Sequence, residues 1–418
     1  MRASALSLTI AAAGAGASFL GASPPAGDQP RSAALPPDAF VTALARDPRG
    51  ALWAATEDLG LFRLGGGGAP TEGKENGVLP PDPPLQAGRA PDPLRFTSRS
   101  GLTDDTACAL AFDAAGRLWV GTLNRGVSVW NGEAWRHYDV PDGPLGERVF
   151  DIACNPADGD VWIATSAGLT RYRAARDRWD HYTRADGLPS DLAAALAFAR
   201  DGTLYVGTQC HGIAYARPVP VNKALEYYTW SVAAAPDRFG PDGCSPVPLE
   251  PAGTGLPSNL INDLLVGRDG TVWAATTAGL AWSRNGGTSW RFLRGRDWEG
   301  KVRGLLGGPP KGWRPPDPRR GAVLLPEDRV TCLAEDDQGL IWLGHWRKGY
   351  TVFAPRTAAP VYMSAHPPDP TGREEEFVSA ICPVPGGPPW IGWYGGGLTR
   401  GGRGGGPCWE IGLPQDGR

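Results

Sequence analysis

Two short stretches carry side chains able to bind ligands or move protons, His345-Trp346-Arg347 and Trp393-Tyr394. Imidazole, guanidinium and phenol offer oriented donors and acceptors, and the indole faces suit sugars or other flat ligands. Glu57-Asp58, Asn124-Arg125, and Gln209 with His211 sit at the matching place elsewhere, just after a recurring Thr. These eleven residues form the candidate ligand-binding set. Catalysis would need an acid/base pair, or a His and a Tyr, converging on one point. His345, Tyr394, Glu57, Asp58 and Asp328 could supply one, but no spacing demands it. No residue is therefore assigned a catalytic role. No Cys-x-x-Cys or His-rich spacing points to a metal, and no cofactor is expected.

What positions these residues is a repeat. The stretch Asp113-Ala114-Ala115-Gly116-Arg117-Leu118-Trp119-Val120-Gly121-Thr122 recurs at Asp47 to Thr56, Asp158 to Thr165, Asp201 to Thr208 and Asp269 to Thr276. Drifted copies run from Asp336 to His345 and from Gly386 to Trp393. Seven marker aromatics result: Trp53, Trp119, Trp162, Tyr205, Trp273, Trp342 and Trp390. The closest are 43 residues apart, a period typical of propellers and other repeat arrays. Within one unit, Val149 to Cys154, Val161 to Thr165, Leu169 to Tyr172 and Trp179 to Tyr182 read as short strands separated by Asn-Pro, Ala-Gly and Asp-Arg turns. Four antiparallel strands per unit make a propeller blade. The expected fold is all-β, a seven-bladed β-propeller of four-stranded antiparallel blades.

Between units lie Gly187-Leu188-Pro189-Ser190-Asp191, Gly255-Leu256-Pro257-Ser258-Asn259, Gly101-Leu102-Thr103-Asp104-Asp105 and Leu325-Pro326-Glu327-Asp328. A Gly-Leu-Pro linker, a Val-x-x-Leu strand and then Asp-x-x-Gly-x-Leu-Trp-Val-Gly-Thr resembles the two-component regulator propeller repeat. The resemblance covers almost everything from about Leu35 onward. It implies a ring like those in periplasmic sensor regions of hybrid two-component regulators. Ser283 to Trp290 also resembles the Asp-box of sialidase-type propellers, with Asn285 for Asp and Ser289 for Thr; in that family the motif is a structural turn.

The chain has 418 residues, with 59 Gly, 42 Pro and a formal charge of −3, which excludes bulk attraction to nucleic acid. The 17 Trp and the periodic strands argue against disorder for most of it. Met1-Arg2 followed by the apolar Ala5 to Ala17 reads as a signal peptide (1–22), then a linker (23–34) and the propeller (35–418). An Ala-rich tail is the alternative reading of that segment. No apolar run of 18 or more residues follows it, so no membrane span is expected in the mature chain. A periplasmic or secreted monomer is expected. Seven Cys is an odd number. Cys108, Cys154, Cys332 and Cys382 fall in first strands as small apolar residues, and a Cys210–Cys244 disulfide is predicted for an oxidising compartment.

In a four-stranded blade, the loop after strand two and the link to the next blade open on one face. Five blades end strand two in Thr (Thr56, Thr122, Thr165, Thr208, Thr276), whereas His345 and Trp393 replace it in blades six and seven. The substitution predicts large amphipathic groups at the ring mouth; repeat drift with local repacking is the competing account. Blade four is read as ending in Tyr227 to Trp230, followed by an insertion from Ser231 to Thr254. A second insertion, Arg296 to Gly321, carries a basic run that is either solvated or a site for an acidic partner. The leading function is non-catalytic recognition of a small molecule, glycan or protein on the loop-rich face. An enzyme acting on glycans and a protein–protein scaffold are the alternatives.

Overall fold

The computed structural model describes residues 31–32, 34–64, 94–222, 225–228, 230–235, 250–298, 300, 324–363 and 376–402. Each of the seven marked units forms its own antiparallel sheet, and the seven sheets close into a ring. The first strands are Val41–Arg46, Ala107–Phe112, Val149–Cys154, Ala193–Phe198, Ile261–Val266, Val330–Glu335 and Val378–Val384. Each touches the first strand of the blades on either side, so these seven line the centre. Blades one to six each have four strands laid side by side in chain order, with a fifth, outer strand added in blades one and five; blade seven shows three among the described residues. The segment read as its fourth strand lies outside them. Helix is scarce among the described residues: 3-10 turns at Ser98–Ser100 and Arg184–Asp186, and helical Trp298 and Gly300 after blade five.

The repeated sequence has a mechanical explanation. Asp113 Oδ1 accepts the amides of Ala115 and Arg117, and its Oδ2 accepts the Trp119 indole N–H at 2.9 Å. Asp336 does the same with Gln338, Leu340 and Trp342. Gly116 and Gly339 sit at φ 76° and 77°, where a side chain would be strained. The anchored indole then packs into the seam with the next blade. Trp119 joins a cluster with Val149, Ile152 and Tyr172 of blade three, and Trp162 one with Leu196 and Val206 of blade four. The pattern continues around the ring to Trp390, which packs with Leu52 and Phe62 of blade one. The core is thus seven seams rather than one body.

A second set of contacts joins the blades near the centre. Every first strand slips register beside its second residue, as between Val41 and Ala43 or Val149 and Asp151. In five blades the side chain at that slip donates to the carbonyl opening the next first strand. Thr42 bonds Ala107 at 2.6 Å, Cys108 bonds Val149 at 2.8 Å and Asn262 bonds Val330 at 2.6 Å. Thr331 bonds Val378 and Ser379 bonds Val41, each at 2.6 Å. The last of these closes the ring, with the Gly397 amide donating to Ala39 beside it. Gly121 is required here for space, since a Cβ would lie 2.5 Å from Val149 of the next blade.

Blade four departs from the sequence expectation. Its fourth strand is Ser231–Ala233, paired with Ile213 to Tyr215, while Tyr227 and Tyr228 belong to a separate hairpin of Pro218–Asn222 with Leu225–Tyr228. The hairpin takes Tyr227 and Tyr228, and the edge of the blade is left to the segment that follows. The Ser231-to-Thr254 insertion therefore begins inside the blade, and its end, Ala252–Thr254, adds an outer strand to blade five. Arg31–Ser32 likewise adds an outer strand to blade one. Cys244 and most of the basic insertion lie outside the described residues. The Asn285 turn has the expected geometry, with Asn285 Oδ1 accepting the Ser289 amide and Trp290 Nε1 donating to Gly287.

Candidate functional site

One backbone hydrogen bond recurs in all seven blades. The residue after strand two donates its amide to the residue just before strand one: Glu57 to Phe40, Leu123 to Thr106, Ser166 to Arg148, Gln209 to Leu192, Thr277 to Leu260, Trp346 to Arg329 and Tyr394 to Phe377. Fourteen side chains are thereby set around one mouth in fixed pairs. Read around the ring, the chemistry is uneven. Blades two to five contribute Thr, Leu, Arg, Ser and Gln, whereas blades six, seven and one contribute Arg329, Trp346, Phe377, Tyr394, Phe40 and Glu57.

Those six are in contact. The Trp346 and Phe377 ring centroids are 4.5 Å apart, Phe377 and Tyr394 5.2 Å, and Tyr394 and Phe40 4.8 Å. Rings at such separations attract beyond their area burial, by about 0.5–1.5 kcal/mol a pair. At one end the Arg329 guanidinium lies 3.9 Å over the Trp346 ring, a cation–π contact. Burial pulls its pKa down from the usual arginine value, Glu327 opposes that, and Arg347 adds to it. At the other end the Tyr394 hydroxyl donates to Glu57 across the blade seven–one seam. The result is a row of half-buried rings with a cationic and an anionic end. Phe40 is 38% exposed, an unusual setting for a large apolar side chain.

The sequence-predicted residues divide into three groups. Trp346, Tyr394 and Glu57 are in the row, and Arg347 and Asp58 are exposed beside it. The Arg347 amide is held by Glu327 Oε1 at 2.5 Å. His345 and Trp393 point into the blades. His345 is fully buried, its Nε2 2.8 Å from Thr351 Oγ1, and burial pushes its pKa down to about 3. Trp393 is 7% exposed, packs with Val378 and Ile391, and donates to Thr399 at 2.8 Å. The Thr they replace is itself a turn closer, its hydroxyl donating to a Gly carbonyl 2.7–3.0 Å away in five blades. Asn124, Arg125, Gln209 and His211 are on the same face in blades two and four. Asn124 is held by Asp104 at 2.8 Å, and His211 is exposed.

Phe40, Arg329 and Phe377 were not singled out from sequence. The signal was there: they form one column, the residue before each first strand, and that column is aromatic only in blades one and seven, with Arg329 beside them in blade six. No cluster of three or more His, Cys, Asp or Glu able to hold a metal occurs among the described residues.

Residues 324–347 match the family model described as two component regulator propeller. No curated protein matches the sequence. Among solved structures, one similar chain is described as the extracellular domain of a hybrid two component system of B. thetaiotaomicron, at 16% identity and TM-score 0.54. The alignment covers 86% of this chain and 38% of that one, so this chain spans well under half of that sensor's length. A second is a catalytically inactive virginiamycin B lyase of Staphylococcus aureus with quinupristin, at 11% identity and TM-score 0.53, covering 88% and 97% of the two chains. Identities this low establish a shared fold alone, and a shared fold serves both binding and catalysis. The chain is a seven-bladed β-propeller in which one segment, residues 324–347, matches the two component regulator propeller repeat.

Proposed function

We propose that this chain is a non-catalytic, extracytoplasmic recognition propeller of sensory type. Its ligand, a small molecule, a glycan or a protein, docks at the mouth over blades six, seven and one. The aromatic row from Trp346 through Phe377 and Tyr394 to Phe40 carries this reading. It is anchored by backbone pairs, flanked by opposite charges and confined to one sector of a ring whose other blades lack it. Rigid aromatic groups lose little conformational freedom on binding and present large contact areas. His345 and Trp393 act from beneath, as packing that sets the height of Trp346 and Tyr394. The extracytoplasmic setting rests on the apolar N-terminal stretch and on likeness to a chain described as extracellular.

A thermal-shift panel of oligosaccharides, peptides and common metabolites tests the reading. At about a hundred times its dissociation constant a ligand stabilises by roughly 2.7 kcal/mol. At least one compound should raise the melting point of the wild type and not that of the Trp346→Ala/Tyr394→Ala variant. A hit that shifts both proteins equally, or that is consumed during incubation, would overturn it.

A further inference from the structure

On the face opposite the mouth, the repeat is its own control. In four blades, among the described residues, an arginine lies over the marker indole. The distances are 5.9 Å for Arg63 over Trp53, 5.8 Å for Arg117 over Trp119, 5.3 Å for Arg171 over Trp162 and 3.9 Å for Arg400 over Trp390. Arg63, Arg171 and Arg400 hold the same register, each directly across the sheet from its indole. The first three arginines are paired with carboxylates of the turn between strands one and two. Arg63 lies 3.8 Å from Asp47, Arg117 2.6 Å from Asp113, and Arg171 2.8 Å from Asp158 and 2.7 Å from Asp160.

Blade seven provides Arg400 with no such carboxylate. Its turn reads Val384-Pro385-Gly386-Gly387-Pro388-Pro389, and Val384 stands six residues before Trp390, as Asp47 stands before Trp53. Arg400 Nη1 donates to the Pro388 carbonyl at 2.8 Å, while Nε has no hydrogen-bond partner. Across the seam, Arg46 closes the first strand of blade one. Burial pulls the Arg400 pKa below the usual arginine value, and the Arg46 charge adds to that. Both charges also reach the buried Cys382 thiol of blade seven. The acids of the adjoining turns are engaged elsewhere: Asp47 holds the Arg49 and Ala51 amides and faces Arg63, and Asp337 accepts the Gly386 amide. Neither Arg46 nor Arg400 forms an ion pair among the described residues, and both are partly exposed.

We propose that Arg400 and Arg46 form a site for the carboxylate of a ligand, which fills at the seven–one seam the place that an aspartate fills in blades one, two and three. A guanidinium is a planar fork matched to a carboxylate, and stacking on Trp390 fixes the plane of that fork while leaving its N–H edge open. Two neighbouring guanidinium groups repel, and an anion between them relieves the repulsion. One arginine comes from each blade, so the bound group ties the seam that closes the ring, where Trp390 is only half-buried. The site is on the other face from the aromatic row and does not depend on what binds there.

The test compares melting points of the full chain in succinate, in a terminally blocked Asp-Glu dipeptide and in sodium chloride, all at equal ionic strength. The wild type should melt higher in the carboxylates than in chloride, and the larger of the two shifts tells a free small acid from a protein side chain as the source. Val384→Asp gives blade seven the carboxylate that Asp47 gives blade one. It should melt above the wild type in chloride and lose most of the carboxylate shift. Arg400→Gln should lose that shift as well. On the wild type alone, succinate should slow amide exchange at residues 46–50, 384–390 and 399–400, which decides the matter if the variants fail to fold. No shift beyond that in chloride, an equal shift in Arg400→Gln, or exchange slowed only outside those segments would each overturn the site.

Discussion

At the scale of residues, most of the conserved-looking chemistry within the repeat is structural. Asp113, only 6% exposed, satisfies two amides, one indole and the Arg117 guanidinium. Asp113→Ala would orphan buried donors and should cost about 2–4 kcal/mol, read as a lower denaturant midpoint with an unchanged slope. His345 is a second case. Its folded pKa, near 3, lies below the ordinary 6.5, so its contribution is present above pH 6.5 and is lost as pH falls towards 3. His345→Thr, which restores the residue of five other blades, should flatten stability between pH 6 and 4 in an acid titration. The residue types at the mouth are legible in the sequence, because Trp346, Tyr394 and Glu57 each follow a recognisable strand. The direction of each side chain is not. Strand alternation sends position 345 inward and 346 outward, and only the backbone pair to Arg329 fixes that parity.

At the scale of elements, each blade depends on its neighbour. Trp162 is fully buried in the blade three–four seam, whereas Trp390 is only half-buried in the seven–one seam. Trp162→Ala should cost about 3–5 kcal/mol in chemical denaturation, and Trp390→Ala distinctly less. The clasps give a finer test. Ser379→Ala should cost about 1 kcal/mol by removing the bond to Val41. Ala194 holds the matching position at the blade four–five seam, so Ala194→Thr should add a bond there and raise the denaturation midpoint. Blade boundaries are legible because Asp-Gly turns and Trp markers repeat, so an inner strand can be recognised by register with six others. Outer strands carry no such marker. Their one-sided pairing lets Leu225–Tyr228 and Ser231–Ala233 compete, and hydrogen bonding within the hairpin decides the outcome.

At the scale of the whole molecule, the seven seams make the ring a frame with two unlike faces. One face holds the Asp-anchored turns at Asp47 to Ala51, Asp113 to Arg117 and Asp336 to Leu340, whose polar groups are spent on the fold. The other holds the paired residues of the mouth, where one sector gathers rings and charges beyond what closing a turn requires. Recognition at that sector is the central claim, and amide exchange with and without a thermal-shift hit tests it most directly. The account predicts slowed exchange at residues 57–59, 329–330, 346–349, 377–378 and 394–397, with little change at 47–51, 113–117 and 336–340. Protection concentrated at the Asp-anchored turns, with the mouth unchanged, would contradict it.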